Sequence, residues 1–369
     1  MTLTERISTP GPKRVLSLDG GGIRGVLSLQ ILKRIESLLR DATGNPRLRL
    51  SEWFDFIGGT STGAIIAACL SIGMEASQIE EFYRSCARDV FRRASLVERF
   101  WYRYEKDRLA GKLREALGAE TTLGAEKIQM LLLLMMRNAT TDSAWPVSNN
   151  PRAVYNDRAR TNCNLSLPLW QLVRASTAAP SYFPAERIRV GSQPFLFQDG
   201  GVTPFNNPAF QMFLMATAAP YRVNWTATPE SLLIVSVGAG SQTAASPDLS
   251  VFDLDLAATA WAVPQALISG MQMHADMLCR LFGECRFGLQ LDREVGDLIG
   301  AAAPGGRKLF SYVRYDAELS AGVLAGLGLG HIRAERILPL DSYASVAELA
   351  ETGRAIAEFQ VSLAHFAGF

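Results

Sequence analysis

The N-terminal part of the chain repeats one pattern of apolar positions twice. A short apolar run, RVLSL (14–18), is followed by glycines and then by a segment, 26–40, whose apolar residues recur at helical spacing. A second apolar run (53–59) is followed by a second helix-like segment (62–74). Two strand–turn–helix units in succession predict an α/β fold on a parallel sheet.

Later segments continue this alternation. The run MLLLLMM (130–136) predicts a buried strand, 167–177 a helix, and 194–201 and 231–240 two further strands. No internal repeat and no break in composition divides the chain. The pattern therefore predicts one domain at 13–369 with helical insertions, after a flexible N-terminus at 1–12.

Composition and charge narrow the class of protein. The chain has 369 residues, 48% of them hydrophobic, and a net charge of +1, which argues against a protein that coats a nucleic acid polymer. The five cysteines show no metal-ligand spacing and favour a reduced compartment, with a Cys279–Cys285 pair as the alternative. No signal-peptide pattern and no apolar stretch long enough to span a bilayer is visible, so a cytoplasmic protein is expected.

The segment LDGGGIRGVL (18–27) permits two interpretations. Its Gly20, Gly22 and Gly25 fit G-x-G-x-x-G, which follows a strand and opens a helix in dinucleotide-binding proteins. Asp41 lies in the rough window for the acid that binds a ribose. The same glycines would equally let backbone amides converge on another anion.

A second glycine motif, GGTSTG (58–63), contains G-x-S-x-G around Ser61. A nucleophilic serine of this type projects from a sharp strand-to-helix turn, whose neighbours must be small. Gly59, Thr60, Thr62 and Gly63 would form this elbow, and the helix that follows favours developing negative charge. The alternative is a structural turn.

Two kinds of residue could activate Ser61. The histidines His274, His331 and His365 have no flanking signature, although His274 has the chain order of an α/β-hydrolase triad. The other candidate is Asp199 in FQDGG (197–201), at the end of a short strand. An Asp-Gly pair is by itself most often a turn.

Four segments in one order resemble the patatin-like phospholipases. They are DGGGIRG (19–25), GTSTG (59–63), RASTAAPSYFP (174–184) and DGG (199–201), and the resemblance covers about residues 13–240. It implies a three-layer α/β/α fold with a mainly parallel central sheet. The catalytic core would then be about 13–240, and 250–369 a helical C-terminal part.

The resemblance also implies roles for the motif residues. Ser61 would be the nucleophile and Asp199 the general base of a dyad, with Gly200 and Gly201 in the Asp loop. The glycine loop would form an oxyanion hole rather than a pyrophosphate cradle, with candidates Gly20, Gly21, Gly22, Arg24 and Gly25. No metal and no cofactor is implied. An aspartate near its usual pKa is a weak base at neutral pH, so we expect Asp199 to be partly desolvated and hydrogen-bonded to Ser61.

These features predict a lipid acyl hydrolase that cleaves acyl esters of phospholipids or related glycerolipids. One alternative is a second-messenger-gated phospholipase effector, inactive until a cyclic nucleotide binds, because the chain also resembles bacterial relatives of that kind. An alternative of another class is a nucleotide-binding module that uses the G-x-G-x-x-G loop.

The segment 84–114 suggests how such a protein meets its substrate. It holds ten Lys or Arg against four Asp or Glu, with Phe100, Trp101, Tyr102 and Tyr104 among them. A basic, aromatic surface suits peripheral contact with a membrane. The alternatives are a helical insertion with packed aromatics, or a regulatory or subunit contact. A regulatory nucleotide and a homo-oligomer both stay open as partners.

Overall fold

A nine-stranded sheet lies at the centre of the protein. The computed structural model describes residues 2–90, 106–241 and 256–369. The strands are β1 (Lys13–Leu18), β2 (Phe56–Thr60), β3 (Leu131–Asn138), β4 (Ser143–Ser148), β5 (Glu186–Val190), β6 (Gln193–Asp199), β7 (Leu232–Val237), β8 (Gly283–Phe287) and β9 (Phe310–Tyr315). The helices are α1 (Leu3–Ser8), α2 (Gly25–Thr43), α3 (Leu50–Trp53), α4 (Thr62–Ser71), α5 (Ala76–Val90), α6 (Lys106–Leu117), α7 (Leu169–Ser176), α8 (Ala209–Thr217), α9 (Leu256–Phe282), α10 (Ala321–Gly326), α11 (Ala334–Ile337) and α12 (Val346–Gln360).

The sheet is mainly parallel. Strand β1 pairs in parallel with β2 and β7, β2 with β3, and β9 with β7 and β8. Among the described strands, β3 pairs antiparallel with β4 and β6, and β5 pairs antiparallel with β6. Parallel strands need crossover connections, and helices such as α2 and α4 supply them.

Helices cover both faces of the sheet. Successive residues of β1 belong to different cores: Leu16 packs with residues of α2, α4 and α12, whereas Val15 packs with residues of α8 and α9. Neighbouring side chains of a strand point to opposite faces, so the two cores lie on opposite sides. The predicted three-layer α/β/α fold with a mainly parallel sheet is confirmed.

The C-terminal part is not purely helical, which corrects the prediction for 250–369. After α9, the strands β8 and β9 enter the central sheet beyond β7. Every residue of β9 is buried, including the polar ones. Its sequence, FSYVRY, therefore shows neither the alternation nor the apolar run that marks a strand.

The N-terminus is also ordered, so the prediction of a flexible segment at 1–12 is wrong for the described residues. Thr2 and Glu5 form a capping box at the start of α1. Arg6 Nε donates to Asp55 Oδ1 at 3.1 Å, and Ile7 is buried. These contacts hold α1 against the region just before β2. That strand begins at Phe56 rather than residue 53, because Trp53 ends α3.

The pairing of β3 brings two distant strand ends together. Its residues 133–138 pair with β4, so β4 occupies one edge. On the other edge, Thr60 at the end of β2 lies opposite Met135, and Asp199 at the end of β6 lies opposite the next residue, Met136. Parallel β2 and antiparallel β6 therefore meet end to end, which places Ser61 beside Asp199.

Candidate active site

Ser61 occupies a strained turn between β2 and α4. Its φ of 54° and ψ of −120° are unusual for a residue with a side chain, and such strain is characteristic of functional sites. The Ser61 amide donates to Ser176 Oγ at 3.0 Å. Ser176 Oγ in turn donates to the Met135 carbonyl at 2.5 Å. The buried Ser176 thus ties the turn to β3.

The glycines on either side of Ser61 are required by close backbone contacts. A Cβ on Gly59 would lie 2.3 Å from the carbonyl carbon of Gly63. A Cβ on Gly63 would lie 2.2 Å from the Leu18 carbonyl oxygen. In both cases the neighbouring atoms are backbone and have little room to move, which explains the G-x-S-x-G spacing.

We predict that Gly63→Ala destabilises the protein and displaces Ser61. Forcing a methyl group into this contact costs about 1–3 kcal/mol of unfolding free energy. Gly111→Ala in α6 is the matched control, because its Cβ would meet no atom within 4 Å and alanine favours a helix by up to about 1 kcal/mol. Chemical denaturation measures both. Equal stability of the two variants would contradict the steric explanation.

Asp199 forms the hydrogen bond expected with Ser61. Ser61 Oγ donates to Asp199 Oδ2 at 2.6 Å, and the Gly201 amide donates to Oδ1 at 2.7 Å. The Asp199 amide donates to the Ala178 carbonyl at 3.0 Å. Both oxygens of the carboxylate are therefore engaged, and only one of them faces a hydroxyl.

Burial makes Asp199 more basic than an ordinary aspartate. The residue is 4% exposed, and this desolvation raises its pKa to about 6. Hydrogen bonds from Ser61 and Gly201 and the positive charge of Arg174 oppose the shift. At pH 7 the group is a carboxylate whose affinity for a proton is higher than usual, as a general base requires.

Ser61 and Asp199 open into one cavity with the glycine loop. The remaining wall is mostly apolar and aromatic, and includes Ile65, Phe82, Tyr83, Leu109, Tyr182 and Phe183. Gly20 lies directly against the serine: a Cβ there would be 3.3 Å from Ser61 Cβ and 2.2 Å from Asn206 Oδ1. The cavity combines a serine hydroxyl that is hydrogen-bonded to a buried carboxylate with space for an apolar group.

The amides of the glycine loop fall into two groups. Three of the five oxyanion-hole candidates donate within the protein: Gly20 to the Asn206 carbonyl, Arg24 to Gly21, and Gly25 to Gly22. Across residues 2–90, 106–241 and 256–369, the amides of Gly21 and Gly22 have no hydrogen-bond partner. The amides of Gly21 and Gly22 are thus available to a bound acceptor, whereas the amides of Gly20, Arg24 and Gly25 already donate within the protein.

The glycine loop is held by residues that sequence reasoning missed. The Ile23 amide donates to the Leu340 carbonyl at 2.9 Å, and Gly22 packs on the same residue. Asp19, just before the loop, accepts hydrogen bonds from both terminal nitrogens of Arg314 at 3.0 and 2.6 Å. Because the sequence of β9 does not mark it as a strand, no signal along the chain identified this pair.

Arg314 connects the loop to β7 and the end of β9. Its guanidinium also donates to Ser236 Oγ at 2.7 Å and to Asp316 Oδ2 at 2.6 Å. Burial raises the pKa of Asp19 to about 6, with Arg314 opposing the shift, so Asp19 is ionised at pH 7. The result is a network in which the buried Arg314 cation lies between the buried carboxylate of Asp19 and the partly exposed carboxylate of Asp316.

The three histidines lie away from Ser61 and Asp199, which argues against a catalytic triad. His274 is exposed on α9, and His331 Nε2 lies 3.2 Å from Glu351 Oε1. His365 Nδ1 is hydrogen-bonded to the Tyr315 hydroxyl at 2.8 Å. In the described part of the chain, none of the three lines the Ser61 cavity.

Three further predictions can be compared with the structure. Asp41 lies near the C-terminal end of α2, roughly 24 Å along its axis from Gly25, so it is not a ribose ligand for this loop. Cys279 and Cys285 are free thiols, so the alternative of a disulfide is wrong. Among the described residues, no cluster of His, Cys, Asp or Glu could hold a metal ion.

The basic segment 84–114 lies partly outside the described residues. The structure describes its two ends, in α5 and α6, but not residues 91–105, which include Phe100, Trp101, Tyr102 and Tyr104. Its contact with a membrane stays a prediction. Within the described ranges, no helix is both long and apolar enough to cross a bilayer.

Comparison with known proteins places the chain in a family. Residues 16–213 match the family model "Patatin-like phospholipase". Patatin-17 of Solanum cardiophyllum is 27% identical over 245 residues, which cover 62% of this chain and 60% of that protein. The cGAMP-activated phospholipase of Vibrio cholerae is 29% identical over 208 residues, 53% of this chain and 56% of that protein.

A mammalian relative extends the comparison. Calcium-independent phospholipase A2-gamma of Mus musculus is 32% identical over 247 residues, which cover 62% of this chain but 28% of that protein. The matched part of the chain thus spans between 28% and 60% of the length of these relatives. The family match contains Gly20, Ser61 and Asp199, which meet at the cavity. The chain belongs to the patatin-like phospholipase family.

Proposed function

We propose that the chain is a serine lipid acyl hydrolase that cleaves acyl esters of phospholipids or related glycerolipids. Ser61 is the nucleophile and Asp199 the general base. One observation carries the proposal: the Ser61 hydroxyl donates a 2.6 Å hydrogen bond to a buried carboxylate inside an apolar cavity. A serine needs such a base because its hydroxyl is a weak nucleophile on its own.

The first step is acylation of Ser61. Asp199 Oδ2 accepts the hydroxyl proton as Oγ attacks the ester carbonyl carbon, and the carbonyl oxygen becomes an oxyanion. The unpartnered amides of Gly21 and Gly22 donate to this oxyanion. The tetrahedral intermediate collapses, the bond from carbon to the lipid alcohol oxygen breaks, and protonated Asp199 returns the proton to the leaving alkoxide.

The second step is hydrolysis of the acyl-enzyme. Asp199 accepts a proton from water as the water oxygen attacks the acyl carbon. Collapse of the second intermediate breaks the bond to Ser61 Oγ, which takes the proton back from Asp199. The products are a fatty acid and a lipid alcohol, and the enzyme returns to its starting state. This chemistry proceeds with the chain's own residues.

The cavity wall supports a lipid substrate. Side chains such as Ile65, Phe82 and Leu109 present hydrocarbon and aromatic surface beside Ser61. Burying an acyl chain there removes apolar surface from water, which favours binding. The family relatives named as phospholipases support the same substrate class. Action at the membrane surface, from the cytoplasmic side, follows as part of this proposal.

A fluorophosphonate probe tests the proposal. We expect one adduct, mapped to Ser61 by mass spectrometry, and release of fatty acid from phosphatidylcholine vesicles by the same preparation. Ser61→Ala removes both signals and is the control for other serines. An adduct at another serine, with lipid hydrolysis retained in Ser61→Ala, would contradict the assignment of the nucleophile.

A gated form of the same enzyme is the second candidate. The observation that favours it is the relative named as a cGAMP-activated phospholipase. Gating predicts weak labelling of Ser61 in the pure protein and strong labelling after addition of cGAMP. Full labelling without any nucleotide would exclude it. The interpretation as a nucleotide-binding module is disfavoured because Gly20 packs against Ser61, which such a module does not need.

A further inference from the structure

Helix α9 has an unusual composition for a helix at the surface. From Leu256 to Ala275 it contains no Asp, Glu, Lys or Arg. Helices that face water normally carry charged residues on their exposed side. The contacts of each side of α9 must therefore explain why five turns of this helix carry no charged residue.

One face of α9 forms part of the wall of the Ser61 cavity. Gln265, Ile268 and Gln272 line that cavity, and Gln272 Nε2 also donates to Asp19 Oδ2 at 3.2 Å. These three positions follow helical spacing, so they lie on one side of the helix. Helix α9 thus covers the catalytic cavity directly.

A different side of the same stretch of α9 exposes apolar side chains to solvent. Val263, Leu267 and Met271 are 45%, 58% and 36% exposed. They are spaced four residues apart, so they form one continuous row along the helix. A row of aliphatic side chains with no flanking charge on the same helix is unfavourable in water.

A second element carries an exposed apolar side chain at the cavity itself. Val202 is 43% exposed and also lines the cavity. It ends the short 3₁₀ turn Gly200–Val202, which follows Asp199 directly and packs against α9. We call Val263, Leu267, Met271 and Val202 the α9 apolar face.

We propose that the α9 apolar face docks on the surface of a lipid bilayer and so delivers the ester to Ser61. This inference rests on the proposed function for its biological meaning. A lipid surface fits because the face is aliphatic and uncharged, and because one of its members, Val202, lines the apolar cavity. Helix α9 is not long and apolar enough to span a bilayer, so it would lie at the interface.

Docking through this face would bring the bilayer close to the entrance of the Ser61 cavity. The lipid would pass from the bilayer along α9 and Val202 into the cavity, so its acyl chain would stay out of water. Contact through aliphatic groups also depends weakly on salt, in contrast to attraction between a basic surface and anionic lipids. This difference separates the α9 apolar face from the basic segment 84–114 as the docking element.

Flotation with phosphatidylcholine vesicles tests the proposal, and all proteins carry Ser61→Ala so that no lipid is hydrolysed. We expect the parent protein to float with the vesicles in low salt and in molar salt. Leu267→Glu should weaken vesicle binding by about tenfold or more, because a carboxylate must then be placed in the interface. Phe359→Glu is the matched control, since Phe359 is 73% exposed on α12 and outside the cavity lining.

The vesicle-binding test can fail while the proposed hydrolase function holds, and it can succeed while that function is wrong. Because the assay measures binding alone, a wrong nucleophile or substrate does not change it. The proposal is overturned if the parent protein stays with the soluble fraction, or if Leu267→Glu and Phe359→Glu float equally well. It is also overturned if light scattering shows a dimer that Leu267→Glu dissociates and no vesicle binding, since a second copy would then cover the face. Unchanged thermal unfolding of Leu267→Glu verifies its fold.

Discussion

Replacing Asp199 by asparagine is expected to lower kcat/KM for a short-chain ester by about 10²–10⁴-fold, the usual contribution of a general base. Asparagine keeps the shape of the side chain and its hydrogen bond from Gly201, but its amide does not accept the Ser61 proton. Ser61→Ala should abolish turnover. Initial rates of ester hydrolysis measure both effects. Activity of Asp199→Asn close to that of the parent protein would show that another group activates Ser61.

The role of Asp199 as general base also predicts how the activity of the parent protein depends on pH. Because the carboxylate is the active form and its pKa is about 6, kcat/KM of the parent protein should fall about tenfold per unit below pH 6. Stability should change in the opposite direction. The native pKa lies above the unfolded value of about 3.9, so the native state binds the proton more tightly and loses up to about 3 kcal/mol of stability as pH rises from about 4 to 6.

Asp199→Asn should remove the part of this pH-dependent loss of stability that the Asp199 carboxyl group causes. The variant is then at least as stable as the parent protein at pH 7, although it is nearly inactive. Denaturation at several pH values, compared between the two proteins, isolates this contribution from that of Asp19, which also has a raised pKa. A variant that is both inactive and strongly destabilised would indicate a structural role for Asp199 instead.

Arg314→Met is expected to produce the largest loss of stability. The substitution leaves the carboxylates of Asp19 and Asp316 without their shared cation, and an unpaired buried charge costs about 3–5 kcal/mol. Chemical denaturation measures the loss. Catalysis should fall with it, because Asp19 immediately precedes the glycine loop that lies against Ser61.

A surface ion pair supplies the control for Arg314. Arg336 Nη1 lies 3.2 Å from Glu348 Oε1, with side chains 58% and 26% exposed. Arg336→Met should change the unfolding free energy by only about 0–1 kcal/mol, because water screens exposed pairs. In the network itself, Asp19→Asn combined with Arg314→Met should recover part of the loss. Equal effects of Arg314→Met and Arg336→Met would contradict the importance of burial.

The sequence predicts the turn around Ser61 because the contacts that shape it join residues only a few positions apart. The contact that excludes a side chain at Gly59 lies four positions away, at Gly63 of the same strand–turn–helix unit, and a five-residue motif records it. Even a missed element, α1, had a local signal in the capping box of Thr2 and Glu5. Such features depend on neighbours within a few positions and therefore leave a pattern along the chain.

Contacts between residues far apart in the sequence leave no such pattern. Asp19 and Arg314 are 295 positions apart, and their pairing depends on how β1, β7 and β9 are ordered in the sheet. The meeting of Ser61 and Asp199 likewise depends on β2 and β6 sharing one edge of β3. At the level of sequence, this proximity was expected only from the family resemblance. Which amides of the glycine loop already have hydrogen-bond acceptors is visible only in the structure.

The hydrogen bond from the Ile23 amide to the Leu340 carbonyl has a consequence for the order of events during synthesis. Ser61 and Asp199 leave the ribosome early, but the segment that braces the glycine loop follows only at residue 340. At 5–20 residues per second the delay after Asp199 is roughly 7–28 s. The nascent chain therefore carries Ser61 and Asp199 while its glycine loop is unsupported, and the loop gains this hydrogen bond only after residue 340 has emerged.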